Sequence, residues 1–225
     1  MQPLIRGRNI HKHFGNLEVL KGIDCDILPG KVTVIVGPSG AGKTTLLQII
    51  GTLLKPENGA SVEYNGQNVL ALNDNAMADF RNENIGFVFQ FHQLLPEFSL
   101  LENVAMPALI GGAKRKDALA KASALLERMG LSHRADHLPS ELSGGECQRA
   151  AVARALVNEP KVILADEPSG SLDSLNRQAL HDLFFELRDR MHMTFLIVTH
   201  DETLAARADC VIRLRDGRID NDRHP

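Results

Sequence analysis

Cysteine is scarce in this sequence: Cys25, Cys147 and Cys210 stand far apart, and no C-x-x-C pair occurs. That argues against a disulfide framework or a structural zinc site and fits a reducing compartment. A basic excess is also missing. Net charge is -3 and the pI about 6.3, so no broad nucleic-acid surface is expected, and Lys114-Arg115-Lys116 reads as a solvated helix start. No uncharged apolar run approaches the roughly 20 residues that a membrane helix needs. The segment up to Phe14 is charged and lacks the apolar core of a signal peptide. Any membrane role is therefore expected to come through partner chains. Repeats, low-complexity segments and heptad runs are absent as well. What remains is an ordinary globular composition over 225 residues, long enough for one sizeable core and an inserted subdomain.

Against that plain background one stretch stands out. The β-branched run Val32-Thr33-Val34-Ile35-Val36 breaks into Gly37-Pro38-Ser39-Gly40-Ala41-Gly42-Lys43-Thr44-Thr45 and then into Leu46-Leu47-Gln48-Ile49-Ile50, which predicts strand, loop and helix. Residues 37–44 fit the P-loop pattern G-x-x-x-x-G-K-[ST] in full. Glycines at 37, 40 and 42 let successive backbone N–H groups turn inward on a phosphate, and the helix start adds unsatisfied donors and a positive dipole end. Lys43 supplies a point charge for the outer phosphates, and the Thr44 hydroxyl can ligate Mg2+.

Further along, polar groups sit at the ends of apolar segments. Val162-Ile163-Leu164-Ala165 reads as a buried strand ending in Asp166 and Glu167, and such strands deliver ligand-binding groups at their C-terminal edge. Asp166 is placed to hold Mg2+ through its water shell, and Glu167 to orient or deprotonate a water. His200 follows the apolar strand of residues 195–199, where an imidazole could reach a γ-phosphate. Ser143 and Glu146 have capping-box spacing around Gly144 and Gly145, a poor choice for helix stability that points to a second bare helix start suited to an anion, or to a flexible cap. Phe14-Gly15 is expected in a polar connection, either as a stacking platform for a base or as a loop anchor on the core. Gln90, after the strand of residues 85–89, reads on its own as a polar strand terminus. Helices are expected near residues 74–80, from Ser99, over 114–129 and from about 171 to 191, and a hairpin about Asp216-Gly217.

Taken in order, residues 37–44, Gln90, Leu142-Ser143-Gly144-Gly145-Glu146, residues 162–167, Ser171-Leu172-Asp173 and His200 resemble the nucleotide-binding subunit of ATP-binding cassette (ABC) transporters, over essentially the whole chain. The resemblance implies an α/β fold: a P-loop NTPase (RecA-like) core with an antiparallel β part and an inserted helical subdomain. The core is expected at about 1–90 and 155–225, the subdomain at about 91–154. It implies ATP contacts from Phe14, the loop of residues 37–45, Gln90, the helix start at Ser143, Gly144, Gly145 and Glu146, and Asp173. Mg2+ would be held by Thr44, Gln90 and Asp166, and catalysis would fall to Glu167, His200 and Lys43. Two copies would pair head to tail around ATP. Integral membrane subunits would dock near residues 90–102, placing the chain peripherally on the cytoplasmic face of the inner (plasma) membrane.

A narrower likeness lies in residues 81–107, which look like the lipoprotein-releasing (LolD) type of ATPase and its macrolide-exporter and FtsE relatives. Two departures are mild: Cys147 stands where glutamine is more usual, and Ser171 where Ala or Asn is commoner. The rival readings are a cell-division, small-molecule or non-transport ABC ATPase and a P-loop kinase. A non-transport ATPase of this class usually carries a coiled-coil insertion or a second cassette, and a kinase leaves residues 142–146 and His200 unexplained.

Overall fold

The computed structural model of the chain describes residues 2–220. Contacts divide it into two units, one up to Met77 and again from Phe185 onward, the other Ala78–Phe184. The second unit is wider than the helical stretch of 91–154, because it takes in the strands and loops on either side.

In the first unit, β1 (Ile5–Phe14) lies antiparallel between β2 (Leu17–Ile27) and β4 (Ser61–Tyr64), with β5 (Gln67–Asn68) beyond β4. The hairpin between β1 and β2 turns at Gly15. Phe14 therefore ends a strand and pairs with Leu17, instead of lying in a loop. Beside this sheet β3 (Val32–Val36) runs parallel to both β8 (Thr194–Val198) and β9 (Cys210–Arg215). All residues of β3 and β8 are buried, as parallel strands covered on both faces require. β9 folds back on β10 (Arg218–Ile219) through Asp216 and Gly217, whose positive φ values of 47° and 74° are those of a hairpin turn. α1 (Lys43–Ile50) follows β3. A short helix that the sequence pattern did not announce, α7 (Glu202–Arg207), is capped by Asp201, whose carboxylate accepts from the Thr203 and Leu204 N–H groups.

The second unit is entered through α2 (Asp74–Asn84), capped by Asn73 and running one turn past its expected end at Phe80. β6 (Ile85–Phe89) and β7 (Val162–Asp166) pair in parallel, with Phe89 opposite Asp166. Between them in sequence come α3 (Leu100–Ile110), α4 (Arg115–Arg128) and α5 (Gly144–Leu156), which pack on one another. α6 (Ser174–Met191) begins here. The Ser99–Glu102 capping box is formed in both directions.

β6 meets α5 at Gly86. A Cβ there would lie 2.4 Å from the Ala155 carbonyl oxygen, a backbone atom that cannot rotate away. Gly86→Ala is expected to cost about 1–3 kcal/mol of stability by overpacking, read as a lowered midpoint in denaturant unfolding. An unchanged midpoint would mean that α5 shifts freely on β6.

Candidate active-site residues

In the first unit the P-loop closes as its residue types demand. The Lys43 ammonium is buried to 9% exposure and donates to the carbonyls of Gly37 at 2.8 Å and Pro38 at 3.1 Å, so the loop wraps its own charge. α1 starts from Gly42 in the left-handed region with no side-chain cap, which leaves its first-turn donors to an anion. Gly37 is fixed by close approach: a Cβ would sit 2.0 Å from the Leu214 carbonyl oxygen of β9. Ser39 and Gly40 are exposed, whereas Ala41 is buried and the Gly217 N–H donates to its carbonyl at 3.2 Å, pinning the loop to the β9–β10 turn. Thr44 and Thr45 fall in the first turn of α1.

A cavity of about 280 Å3 is lined by Gly37, Pro38, His200, Arg213 and Arg215 among others, so the loop after β8 brings His200 to the mouth of the P-loop. Phe14 is 51% exposed, with the Lys12 ammonium 5.6 Å from its ring centre. That exposure removes the reading of Phe14 as a core anchor.

In the second unit β7 ends in Asp166, and Glu167 follows with φ 46°, a left-handed conformation uncommon for a residue with a Cβ. The turn is closed by the Gly170 N–H, which donates to the Glu167 carbonyl at 3.0 Å. Gln90 comes to the same turn. A Cβ on Gly170 would lie 3.0 Å from the Gln90 amide nitrogen, and the Ser171 hydroxyl donates to the Gln90 carbonyl at 3.0 Å. Asp173 caps α6 by accepting from the Leu175 and Asn176 N–H groups, both at 3.0 Å. These bonds, led by the Asn176 N–H, hold its carboxyl below the usual range. Among the described residues no group of three or more His, Cys, Asp or Glu could hold a metal ion by itself. Asp166 offers a carboxylate and Gln90 an amide oxygen, hard oxygen donors of the kind that Mg2+ takes one or two at a time beside substrate phosphates.

The segment at Ser143 forms its capping box in full. The Ser143 hydroxyl accepts from the Glu146 N–H, while the Glu146 carboxylate accepts from the Ser143 N–H at 2.8 Å. Those bonds, with the Arg134 guanidinium at 3.2 Å, hold the Glu146 carboxyl at about 2. The two glycines separate in purpose. A Cβ on Gly145 would lie 2.2 Å from the Asn176 side-chain oxygen, so that side chain would have to move aside; a Cβ on Gly144 would meet its nearest neighbour, Leu172, at an ordinary 3.7 Å. Cys147 is buried, its thiol pushed up chiefly by burial. It is a packed helix residue, without the exposure and thiolate character of a reactive cysteine.

The same unit holds a groove of about 420 Å3 whose lining includes Phe87, Phe89, Gln93, Pro107, Ile110 and Arg154. Arg154, on α5, donates to the carbonyls of His92 at 2.7 Å and Gln93 at 2.5 Å, two successive residues with positive φ. Asn103, 1% exposed, fastens the next segment: its oxygen accepts from the Leu95 N–H, and its nitrogen donates to the carbonyls of Leu95, Phe98 and Ser99. Phe91 at 69% and Ile110 at 72% exposure are apolar and uncovered. Arg154, Asn103 and Asn176 escaped the sequence reading because their partners are mostly backbone carbonyls or glycines set by the fold.

The family model described as "ABC transporter" matches residues 20–170. The lipoprotein-releasing system ATP-binding protein LolD of Bacteroides fragilis is 59% identical over 96% of this chain and 100% of its own length. That of Porphyromonas gingivalis is 58% identical over 96% and 98%. Among solved structures, a dimeric ATP-binding cassette in a post-hydrolysis state bound to ADP and Pi superposes with a TM-score of 0.87 at 35% identity, covering 96% of this chain and 97% of that one.

Proposed function

The chain belongs to the ABC transporter family, and we propose that it powers a lipoprotein-releasing membrane complex as a pair of copies seated on integral membrane subunits. Its reaction is hydrolysis of ATP with Mg2+. The observation that carries the reading is Lys43, a buried ammonium whose hydrogen-bond partners are neutral loop carbonyls at an uncapped helix start. A triphosphate offers the charge that this site is built to meet.

Positioning and charge stabilisation do most of the work in phosphoryl transfer. The amides of residues 37–45 and the Lys43 ammonium bind the phosphates, and His200 reaches a γ-phosphate from the cavity it shares with Gly37 and Pro38. Glu167 orients the attacking water and draws off its proton. Thr44, Asp166 and Gln90 would hold Mg2+, which supplies neutralisation of the phosphate charge. Phe14 offers a ring face to the base. Phe14→Ala is expected to weaken nucleotide binding by about 1–3 kcal/mol, the worth of one stacked base, in a fluorescent-nucleotide titration; an unchanged affinity would take Phe14 out of the site.

Two copies pair head to tail, each closing its Ser143-Gly144-Gly145 helix start on ATP held by the other. The exposure of Gly144, the ordered cap and the dimeric form of the structural relatives support this. Glu146 serves that start by fixing Ser143, and Asp173 by fixing the start of α6 beside Gly145. The groove of the second unit receives a cytoplasmic helix of a membrane subunit against Ile110 of its lining, with the exposed Phe91 standing in sequence between the lining residues Phe89 and Gln93. With both changed to Glu, the chain is expected to bind ATP normally yet lose the membrane chains that co-purify with it from detergent extracts, as identified by mass spectrometry. Undiminished co-purification would move the docking site elsewhere.

A further inference from the structure

Buried in the second unit is a titratable side chain with no part in the roles above. His181, on α6, is 1% exposed, and its Nε2 lies 3.0 Å from the hydroxyl of Ser169, which is 3% exposed. Ser169 is two residues beyond Glu167, inside the turn that carries that carboxylate. The turn holds Glu167 in the left-handed region, a conformation that persists only when its surroundings impose it. Several bonds do so. The Gly170 N–H donates to the Glu167 carbonyl, the Leu172 N–H to the Ser169 carbonyl at 3.2 Å, and Arg177 to the Leu172 carbonyl at 3.3 Å. The side-chain bonds at Ser171, Asp173 and Asn176 lie at exposed positions, open to competition from water. The His181–Ser169 bond is a buried side-chain anchor of the turn, where an unmade hydrogen bond is costly and geometry is tightly set.

We propose that His181 is a positioning residue for hydrolysis: by fixing Ser169 it holds the turn in which Glu167 points its carboxylate at the attacking water. The bond survives either neutral tautomer, because the hydroxyl donates to a bare Nε2 and accepts from a protonated one. This inference rests on Glu167 being the group that handles the water.

The test is steady-state ATP turnover by the full chain. His181→Leu is expected to lower kcat about 10-fold, in keeping with the sensitivity of such chemistry to small misplacement, with KM for ATP changed less than about twofold. Ser169→Ala, a far smaller change to the core, should give a similar loss, and the double variant should be no worse than either single one. His181→Gln, which returns a donor and acceptor near the Nε2 position, should recover most of kcat. In a Glu167→Gln background, His181→Leu should leave the residual rate alone. Wild-type kcat in both His181→Leu and Ser169→Ala, losses that add, or a further loss in the Glu167→Gln background would each overturn the proposal. Full turnover by Glu167→Gln itself would instead overturn the reading of Glu167 on which it rests.

Discussion

Glu167→Gln is expected to slow ATP turnover by about 10²–10⁴ while leaving ATP affinity near that of the parent chain, the signature of lost general-base help. The substitution keeps the size and shape of the side chain and removes its basicity. Nothing in the first unit's phosphate cradle changes, because Gly37, Pro38 and Lys43 close on one another without it. The turn is held by backbone and neighbouring side-chain bonds at Ser169, Gly170 and Leu172, so Gln at the same backbone angles meets the same constraints. Phosphate release measured beside nucleotide binding separates the two quantities. A variant that hydrolyses at the parent rate would strip Glu167 of its role.

Lys43→Ala should fail in the complementary way, losing binding and turnover together. Each hydrogen bond from an ammonium to a charged acceptor is worth about 1.5–3 kcal/mol, so ATP affinity is expected to fall roughly 10- to 100-fold. Turnover at saturating ATP should fall at least as far, since charge on the outer phosphates grows in the transition state. The fold should survive the change. Lys43 donates its hydrogen bonds to carbonyls of its own loop, and the pairing of β3 with its parallel neighbours is made by backbone groups. Nucleotide titration beside a melting curve reads both effects. Normal affinity in a folded Lys43→Ala chain would deny the loop its substrate.

Much of this site could be read from the sequence because its signals are local. A strand, three glycines, a lysine and a helix lie within 19 residues, 32–50, and capping boxes need only four positions. Hence Ser99 with Glu102 and Ser143 with Glu146 were legible, and so were the hairpin at Asp216-Gly217 and the span of α4. What escaped depends on distant partners. Phe14 reads as a loop residue until Leu17 is seen across the hairpin from it. Gly145 looks like an anion-site glycine like its neighbour, yet Asn176, remote in sequence, is the residue that a side chain there would displace. α7 is only six residues long, too short to show a helical period, and α2 continues past Phe80 to Asn84, whose side-chain amide donates to the Phe80 carbonyl. The left-handed backbone at Glu167, His92 and Gln93 carries no residue-type signal at all; those positions are set by what surrounds them.

The four hydrogen bonds of Asn103 give residues 95–99 a fixed course before anything arrives. If a membrane-subunit helix docks beside them as proposed, association would freeze few torsions, and its favourable free energy would not be eroded by loop ordering. Capture should then follow simple bimolecular kinetics without a slow isomerisation, at roughly 10⁵–10⁷ M⁻¹s⁻¹. Docked there, such a helix would push on a segment tied at four points, which would move as a whole instead of taking up the push in slack.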